Sequence, residues 1–339
     1  MASTLPKGFT ARPATLDDVE AAVELANACS IELIGRPEWQ AHEFRNDWQS
    51  PLMNPETDLL VVFDPDVKMV GYAGVWDAEP HVQLYGWGNV RPEYRGQGIG
   101  TYLAHWLEER AGQSIPQAPR GARVVLMQSK LAADAAGHAF LTAHGYQLVR
   151  YFTHMLIEMD APPPAPVLPK GVAIRTFDVQ PGTRQERSRA IVRANREIFR
   201  DHWGYVERPF EEEVKEWAHW IDHNPDYDPS LWFLAMEGDE IAGMSLCSPR
   251  LAEDPDMGHV TTLGVRCPWR RRGIALALLH HTFGEFYRRG KCKVKLEVDA
   301  ASLTGATRLY EKAGMHVQRQ SVTYEKELRP GKDLSTQAI

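Results

Sequence analysis

Residues 259–289 read HVTTLGVRCPWRRRGIALALLHHTFGEFYRR, and the reading of the whole chain works outward from them. A strand-like run from His259 to Val265 breaks at Cys267-Pro268. The loop Arg270-Arg271-Arg272-Gly273-Ile274-Ala275 follows, and Leu276, Leu279, Phe283, Phe286 and Tyr287 then mark the apolar face of a helix. Strand, turn and helix in this order aim successive backbone N–H groups and the positive end of the helix dipole at one spot, a seat for phosphate. Gly273 permits torsions that a side chain opposes, and the arginines add charge and hydrogen-bond donors.

The same arrangement occurs earlier. After the strand residue Val90, the loop Arg95-Gly96-Gln97-Gly98-Ile99-Gly100-Thr101 opens a helix whose apolar face carries Ile99, Leu103, Trp106 and Leu107. The spacings Arg270-x-x-Gly273-x-Ala275 and Arg95-x-x-Gly98-x-Gly100 resemble the pyrophosphate-binding signature Gln/Arg-x-x-Gly-x-Gly/Ala of the GNAT acyltransferases. The resemblance implies acetyl-CoA as cosubstrate, held at both loops, with Leu263 and Val265 meeting the pantetheine amides in the second copy. Other readings of the glycines fit less well. Gly96-Gln97-Gly98-Ile99-Gly100 lacks the G-x-G-x-x-G spacing of a dinucleotide site, the second copy lacks its first glycine, and neither loop continues into the Gly-Lys-Ser/Thr of a P-loop.

A chain of 339 residues suggests two domains, each able to bury a core. Its formal charge of -7 argues against a general nucleic-acid binder, so the arginine clusters need a local anion. Cys29, Cys247, Cys267 and Cys292 are scattered and read as free thiols of a reducing compartment. Neither a signal-peptide run nor a stretch near the ~20 apolar residues of a membrane span is present, so a cytoplasmic protein without a membrane partner is expected, as monomer or homodimer. No metal is expected: His219 and His223 share a helical face but lack a third ligand, and His280-His281 reads as a helix face.

In order, Gly8–Arg12 reads as a strand, Asp17 or Asp18 as the cap of a helix, and Leu59–Phe63 with Val70–Trp76 as a hairpin. Arg123–Gln128 and about Tyr151–Met159 read as further strands around a helix from Ala136 to Ala143. The run DAPPPAPVLP at 160–169 is too proline-rich for helix or central strand and reads as a linker. Beyond it the order repeats, a duplication at half the chain length. The expected architecture is α/β (a mixed α+β sheet): two tandem GNAT-like acyl-CoA N-acyltransferase domains, at 1–160 and 170–330, a linker at 161–169 and a loose tail at 331–339. It resembles tandem acetyltransferases of the mycothiol synthase type.

The resemblance also implies direct attack of an amine on the thioester. Tyr310, within Arg308-Leu-Tyr-Glu-Lys-Ala-Gly-Met315, stands at the family's acid that protonates the departing thiolate. A base is expected at His259, six residues before Val265, or at Glu297 on the strand Val294–Val298. Where the family often has an asparagine this chain has Leu303, for which Ser302 or Thr304 would serve. Counting back from Val90 and Gly145 puts Leu84 and Leu141 where His259 and Tyr310 stand, so chemistry is expected in the second half alone. The aromatic segment with His202, Trp203, Tyr205 and Trp217 is the expected substrate wall; in the competing reading Trp217 and Trp220 are helix core. A small-molecule amine acceptor is expected, with an aminoglycoside or a protein lysine also open. The second functional class is a non-catalytic acyl-CoA-binding or regulatory protein.

Overall fold

A computed structural model describes residues 4–301 and 305–337, so Ser302, Leu303 and Thr304 lie outside the described residues. The chain folds as two compact units. Unit 1 runs through Arg150 and adds Asp222–Asn224 and Val322–Leu334; unit 2 holds Tyr151–Ile221, Pro225–Ser321 and the residues from Ser335 on.

In unit 1 the strand order is β1 (Thr10–Pro13), β2 (Leu59–Phe63), β3 (Met69–Trp76), β4 (Gln83–Val90), β5 (Val124–Leu131), then the final strand of the chain, β12 (His316–Arg329), which enters this unit from Val322. β1 through β4 pair antiparallel, whereas β5 lies parallel to β4, a pairing that needs a crossover. The crossover is α4 (Ile99–Gly112), opened by the earlier glycine loop. α1 (Val19–Ile34) buries Val19, Ala22 and Leu25 with Trp48, Leu59 and Val61; α2 (Ala41–Trp48) and α3 (Pro55–Asp58) follow it, and α5 (Ala135–Ala143) follows β5. The expected aspartate cap takes a different form. A 3-10 turn, Leu16–Asp18, precedes α1, and the Asp18 carboxylate accepts from the Thr15 N–H at 2.8 Å and from Arg12 at 2.7 Å.

Unit 2 has the order β6 (Gln147–Glu158), β11 (Lys293–Asp299), β10 (Met257–Val265), β9 (Glu240–Ser248), β8 (Trp232–Glu237), β7 (Val172–Thr176). Again one parallel pair, β10 with β11, sits among antiparallel ones, and α8 (Ile274–Arg288) is its crossover. α6 (Arg184–Phe199) starts from a capping box of Thr183 and Glu186; α7 (Phe210–His223) and α9 (Ala306–Lys312) complete the unit.

These units divide the chain differently from the sequence-based boundaries. The proline run 161–169 lies inside unit 2, where Leu168 packs on the core. The division falls within β6, because the free edge of β11 is covered by Phe152–Glu158 in register with Asp299–Lys293. Composition suggests a semi-rigid linker but does not say which strand will pair with which edge. The tail is also held. Lys332 donates to the Gly121 carbonyl at 2.7 Å in unit 1, and Thr336 exchanges backbone bonds of 2.8 and 2.9 Å with Tyr205 and Gly204 in unit 2. Among the described residues no helix is long and apolar enough to cross a membrane.

Candidate active site

β10 and β11 pair only from Met257–Val260 against Lys293–Leu296. Beyond that the strands part, and a cavity of about 1080 Å³ opens between Thr261–Val265 and Leu296–Asp299. A bulge helps to start it: Val260 faces Cys247 and Thr262 faces Leu246 across the antiparallel edge, leaving Thr261 as an extra residue. Gly264 keeps the far wall close, since a Cβ there would lie 2.1 Å from Ile198 Cγ2 of α6.

The turn at the mouth has the conformation the sequence implied. Gly273 has φ 86°, and nothing lies within 4 Å of the place a Cβ would occupy. Arg271 is also left-handed, at φ 64°. Leu263, Val265, Arg270, Arg271, Gly273, Ile274 and Ala275 all line the cavity. The three arginines differ, however. Arg270 is bolted to the fold, its Nε donating to the Val265 carbonyl at 3.0 Å and its other nitrogens to the Ile198 carbonyl at 2.9 Å and the Asp201 carboxylate. Arg272 is absent from the cavity lining and pairs with Glu237 at 2.6 Å. Both depart from the sequence reading of phosphate donors, because a nearby carboxylate satisfies each. Arg271 is exposed and makes no hydrogen bond or ion pair with the described residues. A pyrophosphate would therefore meet the Arg271 guanidinium and the free N–H groups of the turn.

Glu297 and Tyr310 line the same cavity. Tyr310 is only 6 % exposed, and burial pushes its phenol up to about 12, so it stays protonated. Burial alone would raise the Glu297 pKa, but His154 Nδ1 at 3.0 Å and the nearby Lys295 and His259 outweigh it and bring the carboxyl down to about 2. His154 reaches on to Ser321 Oγ at 3.2 Å. The Glu297 side chain remains 50 % exposed, so it is ionised yet open to a ligand.

His259 is a different case. It is absent from the cavity lining, and burial pushes its imidazole down to about 4, with Glu297 and Glu253 opposing and Lys295 reinforcing. Its neighbour Lys295 is buried against Glu253 at 2.7 Å. Residue counting missed the bulge. The extra Thr261 moves the register by one, so that Tyr85, opposite Trp76 and Met127, is the unit 1 counterpart of His259, opposite Ser248 and Lys295.

Of the aromatic segment, His202, Trp203 and Tyr205 line the cavity with Phe199 and Asp201. Trp217 does not; it packs in the core edge-on to Trp232, centroids 6.0 Å apart, and Trp220 stacks on the same ring. Phe152, Asp299 and Lys312 also line the cavity. No spacing pointed to Phe152 or His154, since both lie on a strand that reads as part of the first half. Among the described residues no group of three His, Cys, Asp or Glu side chains could hold a metal.

Unit 1 keeps the turn. Gly96 and Gly98 have φ 77° and 89° with open space around both, Ile99 is buried, and Gly100 faces Phe140. Gln97 is exposed and Thr101 lies in the first turn of α4. Arg95 pairs with Glu32 at 2.5 Å, and the Val90 carbonyl accepts the Cys29 thiol at 3.4 Å.

Two segments, 20–146 and 192–315, match the model of the acetyltransferase (GNAT) family. The chain is 28 % identical over 276 residues to a mycothiol acetyltransferase of Streptomyces bingchenggensis, covering 79 % of this chain and 81 % of that one. It is 30 % identical over 268 residues to one of Geodermatophilus obscurus, covering 74 % and 76 %. A solved GCN5-related N-acetyltransferase from Sphaerobacter thermophilus superposes with a TM-score of 0.79 at 39 % identity over 98 % of this chain and all of that one. A tandem GNAT protein from the clavulanic acid biosynthesis pathway shares the fold, with a TM-score of 0.68 at 17 % identity over 96 % of this chain. Two strand–turn–helix sites, two matched segments and relatives of the same tandem build agree: the chain belongs to the GNAT acetyltransferase family and is an acyltransferase with two GNAT-like units.

Proposed function

We propose that unit 2 carries the acetyl transfer, moving the acetyl group of acetyl-CoA to the primary amine of a small, cationic molecule. The supporting observation is one cavity that brings together the anion-binding turn, the parted edges of β10 and β11, Glu297 and Tyr310. The backbone groups of Leu263 and the N–H of Val265 on the parted edge suit pantetheine amides, the Val265 carbonyl being taken by Arg270, and the turn with Arg271 suits the pyrophosphate. At the acceptor end Glu297 and Asp299 lie among Phe152, Phe199, Trp203 and Tyr205, a combination of acids and ring faces that favours a cation. Relatives named mycothiol acetyltransferase support a small-molecule acceptor.

In the step itself the neutral amine attacks the thioester carbon, the C–S bond breaks, and the thiolate leaves. Tyr310, protonated throughout the working range, hydrogen-bonds the departing sulfur and passes it a proton. Glu297, ionised from about pH 2 upward, holds and orients the ammonium form. So weak a base does not retain the proton the amine loses, which passes to water and from there restores the Tyr310 hydroxyl. A thiol-release assay with acetyl-CoA against a panel of mono- and polyamines tests this. Turnover that rises with acceptor charge is expected; turnover with anionic acceptors alone, or with none, overturns it.

A further inference from the structure

The first unit has an amine of its own where the second has an acyl-group cavity. β4 and β5 pair only from Gln83–Tyr85 against Val125–Met127, after which the strands part, as β10 and β11 do. Tyr85 sits opposite Met127 and His259 opposite Lys295, so three residues on, Lys130 stands where Val298 lines the cavity of unit 2. The Lys130 ammonium or amine lies 3.4 Å from the carbonyl of Gly88. Gly88 stands two residues before Val90, as Leu263 does before Val265, at the unit 1 counterpart of the edge assigned above to pantetheine.

Lys130 is poorly satisfied for a lysine. That bond to a carbonyl is long, and no carboxylate pairs with it among the described residues; Asp134 acts only from a distance. Burial lowers its pKa, with Asp134 and Cys29 opposing and the Arg95 guanidinium adding least. Desolvation favours the uncharged, nucleophilic form of a lysine. Cys29, on the same edge at the Val90 carbonyl, is driven the other way: burial raises its pKa and keeps the thiol protonated. A few residues along, the turn of Gly96 and Gly98 is open and left-handed like its counterpart.

We propose that Lys130 is a self-acylation site, taking the acyl group of an acyl-CoA held by the turn Arg95–Thr101. The Nζ lone pair attacks the thioester carbon, the C–S bond breaks, and the thiolate takes the proton lost from nitrogen, giving Nε-acyl-lysine and free coenzyme A. No further reactant is needed. The inference rests on the reading that these turns bind acyl-CoA.

The test is incubation of the full chain with acetyl-CoA and no acceptor, followed by peptide mass mapping, with amine-dependent thiol release measured in parallel. Lys130 should be acetylated at least ~10-fold more than the exposed Lys68 and Lys215, whose ammonium groups are held by Glu93 and Glu212. Lys130→Arg should abolish the modification, and Gly98→Pro, with the fold checked by circular dichroism, should reduce it. Gly273→Pro, which blocks the turn of unit 2, should leave it in place. An unmodified Lys130, acetylation spread evenly over the lysines, S-acetylation of Cys29 instead, or loss on Gly273→Pro would each overturn the assignment. If thiol release with amines persists while Lys130 stays unmodified, only this inference fails. If thiol release fails with every amine, the proposed function fails as well.

Discussion

The two units keep the same turn and differ in what stands around it. Gly98 and Gly273 share a left-handed conformation at the start of α4 and α8, and both parallel strand pairs part just beside them. At the positions proposed for the chemistry the pairs diverge: Tyr310 against Leu141, Glu297 against Ser129, Val298 against Lys130. Ser129 is occupied in a bond of 3.1 Å with Thr323, and Leu141 is fully buried. Binding a nucleotide anion needs only backbone donors and a glycine, whereas thiolate protonation needs a titratable hydroxyl. A duplicated unit can therefore lose the second requirement and keep the first.

The sharpest way to break this comparison is at Tyr310. Removing its hydroxyl with Tyr310→Phe should lower turnover by about a hundredfold to ten-thousandfold, the usual size of a lost general acid, with acetyl-CoA affinity nearly unchanged. Turnover within a fewfold of wild type would erase the distinction between the units. The pH profile adds a second reading of the same step. Glu297 is ionised above about pH 2 and Tyr310 protonated below about 12, so neither titrates between pH 5 and 9. The acid limb of kcat/KM should then follow the pKa of the acceptor amine and move when the acceptor is changed. A limb fixed near one pH for all acceptors would assign it to the enzyme.

His259 sharpens the comparison at a smaller scale. Its folded pKa, about 4, lies below the ~6.5 of an unfolded histidine. Between these values the unfolded chain takes up a proton that the folded imidazole refuses, so stability falls as pH drops from 6.5 to 4 and is unaffected above. The loss across that window is about 3 kcal/mol. His259→Asn should flatten that part of the stability curve and change turnover at pH 7 less than about threefold, since the residue is absent from the cavity lining. A hundredfold loss would restore it as the base.

How much of this was legible beforehand depended on whether local rules decide the feature. The turns, their helices and the duplicated order follow from glycine, apolar period and spacing, all of which act within a few residues. Tyr310, Glu297, His202, Trp203 and Tyr205, all singled out from the sequence, line one cavity. His259 was misplaced because the bulge at Thr261 depends on strand pairing, which residue counting does not contain. Arg270 looked like a phosphate donor until Asp201, 69 residues away, was seen to hold it. Trp217 fell to the core because its partner Trp232 lies on a strand beyond the next loop. Phe152 and His154 were missed for the same kind of reason: their strand completes the sheet of unit 2 while its sequence reads as the end of the first half.

The smallest expected effect lies in the turns themselves. Gly96 and Arg271 occupy equivalent places and both are left-handed, at φ 77° and 64°. For glycine that conformation costs little, but for an arginine it costs roughly 1–2 kcal/mol. Arg271→Gly removes that strain while giving the unfolded chain back some entropy, so a net gain of about 0.5–1 kcal/mol is expected, or a rise in melting temperature of about 1–3 °C. The exposed Arg271 guanidinium, unpaired with the described residues, should be what offsets the strain by meeting the pyrophosphate. A partly screened ion pair is worth up to ~1 kcal/mol, so the same variant should bind acetyl-CoA about fivefold more weakly in unit 2. Differential scanning calorimetry and titration calorimetry on one preparation read both changes. If the variant were more stable and bound acetyl-CoA as well as before, the strained arginine would have no part in binding, and the turn of unit 2 would need only the backbone that unit 1 already has.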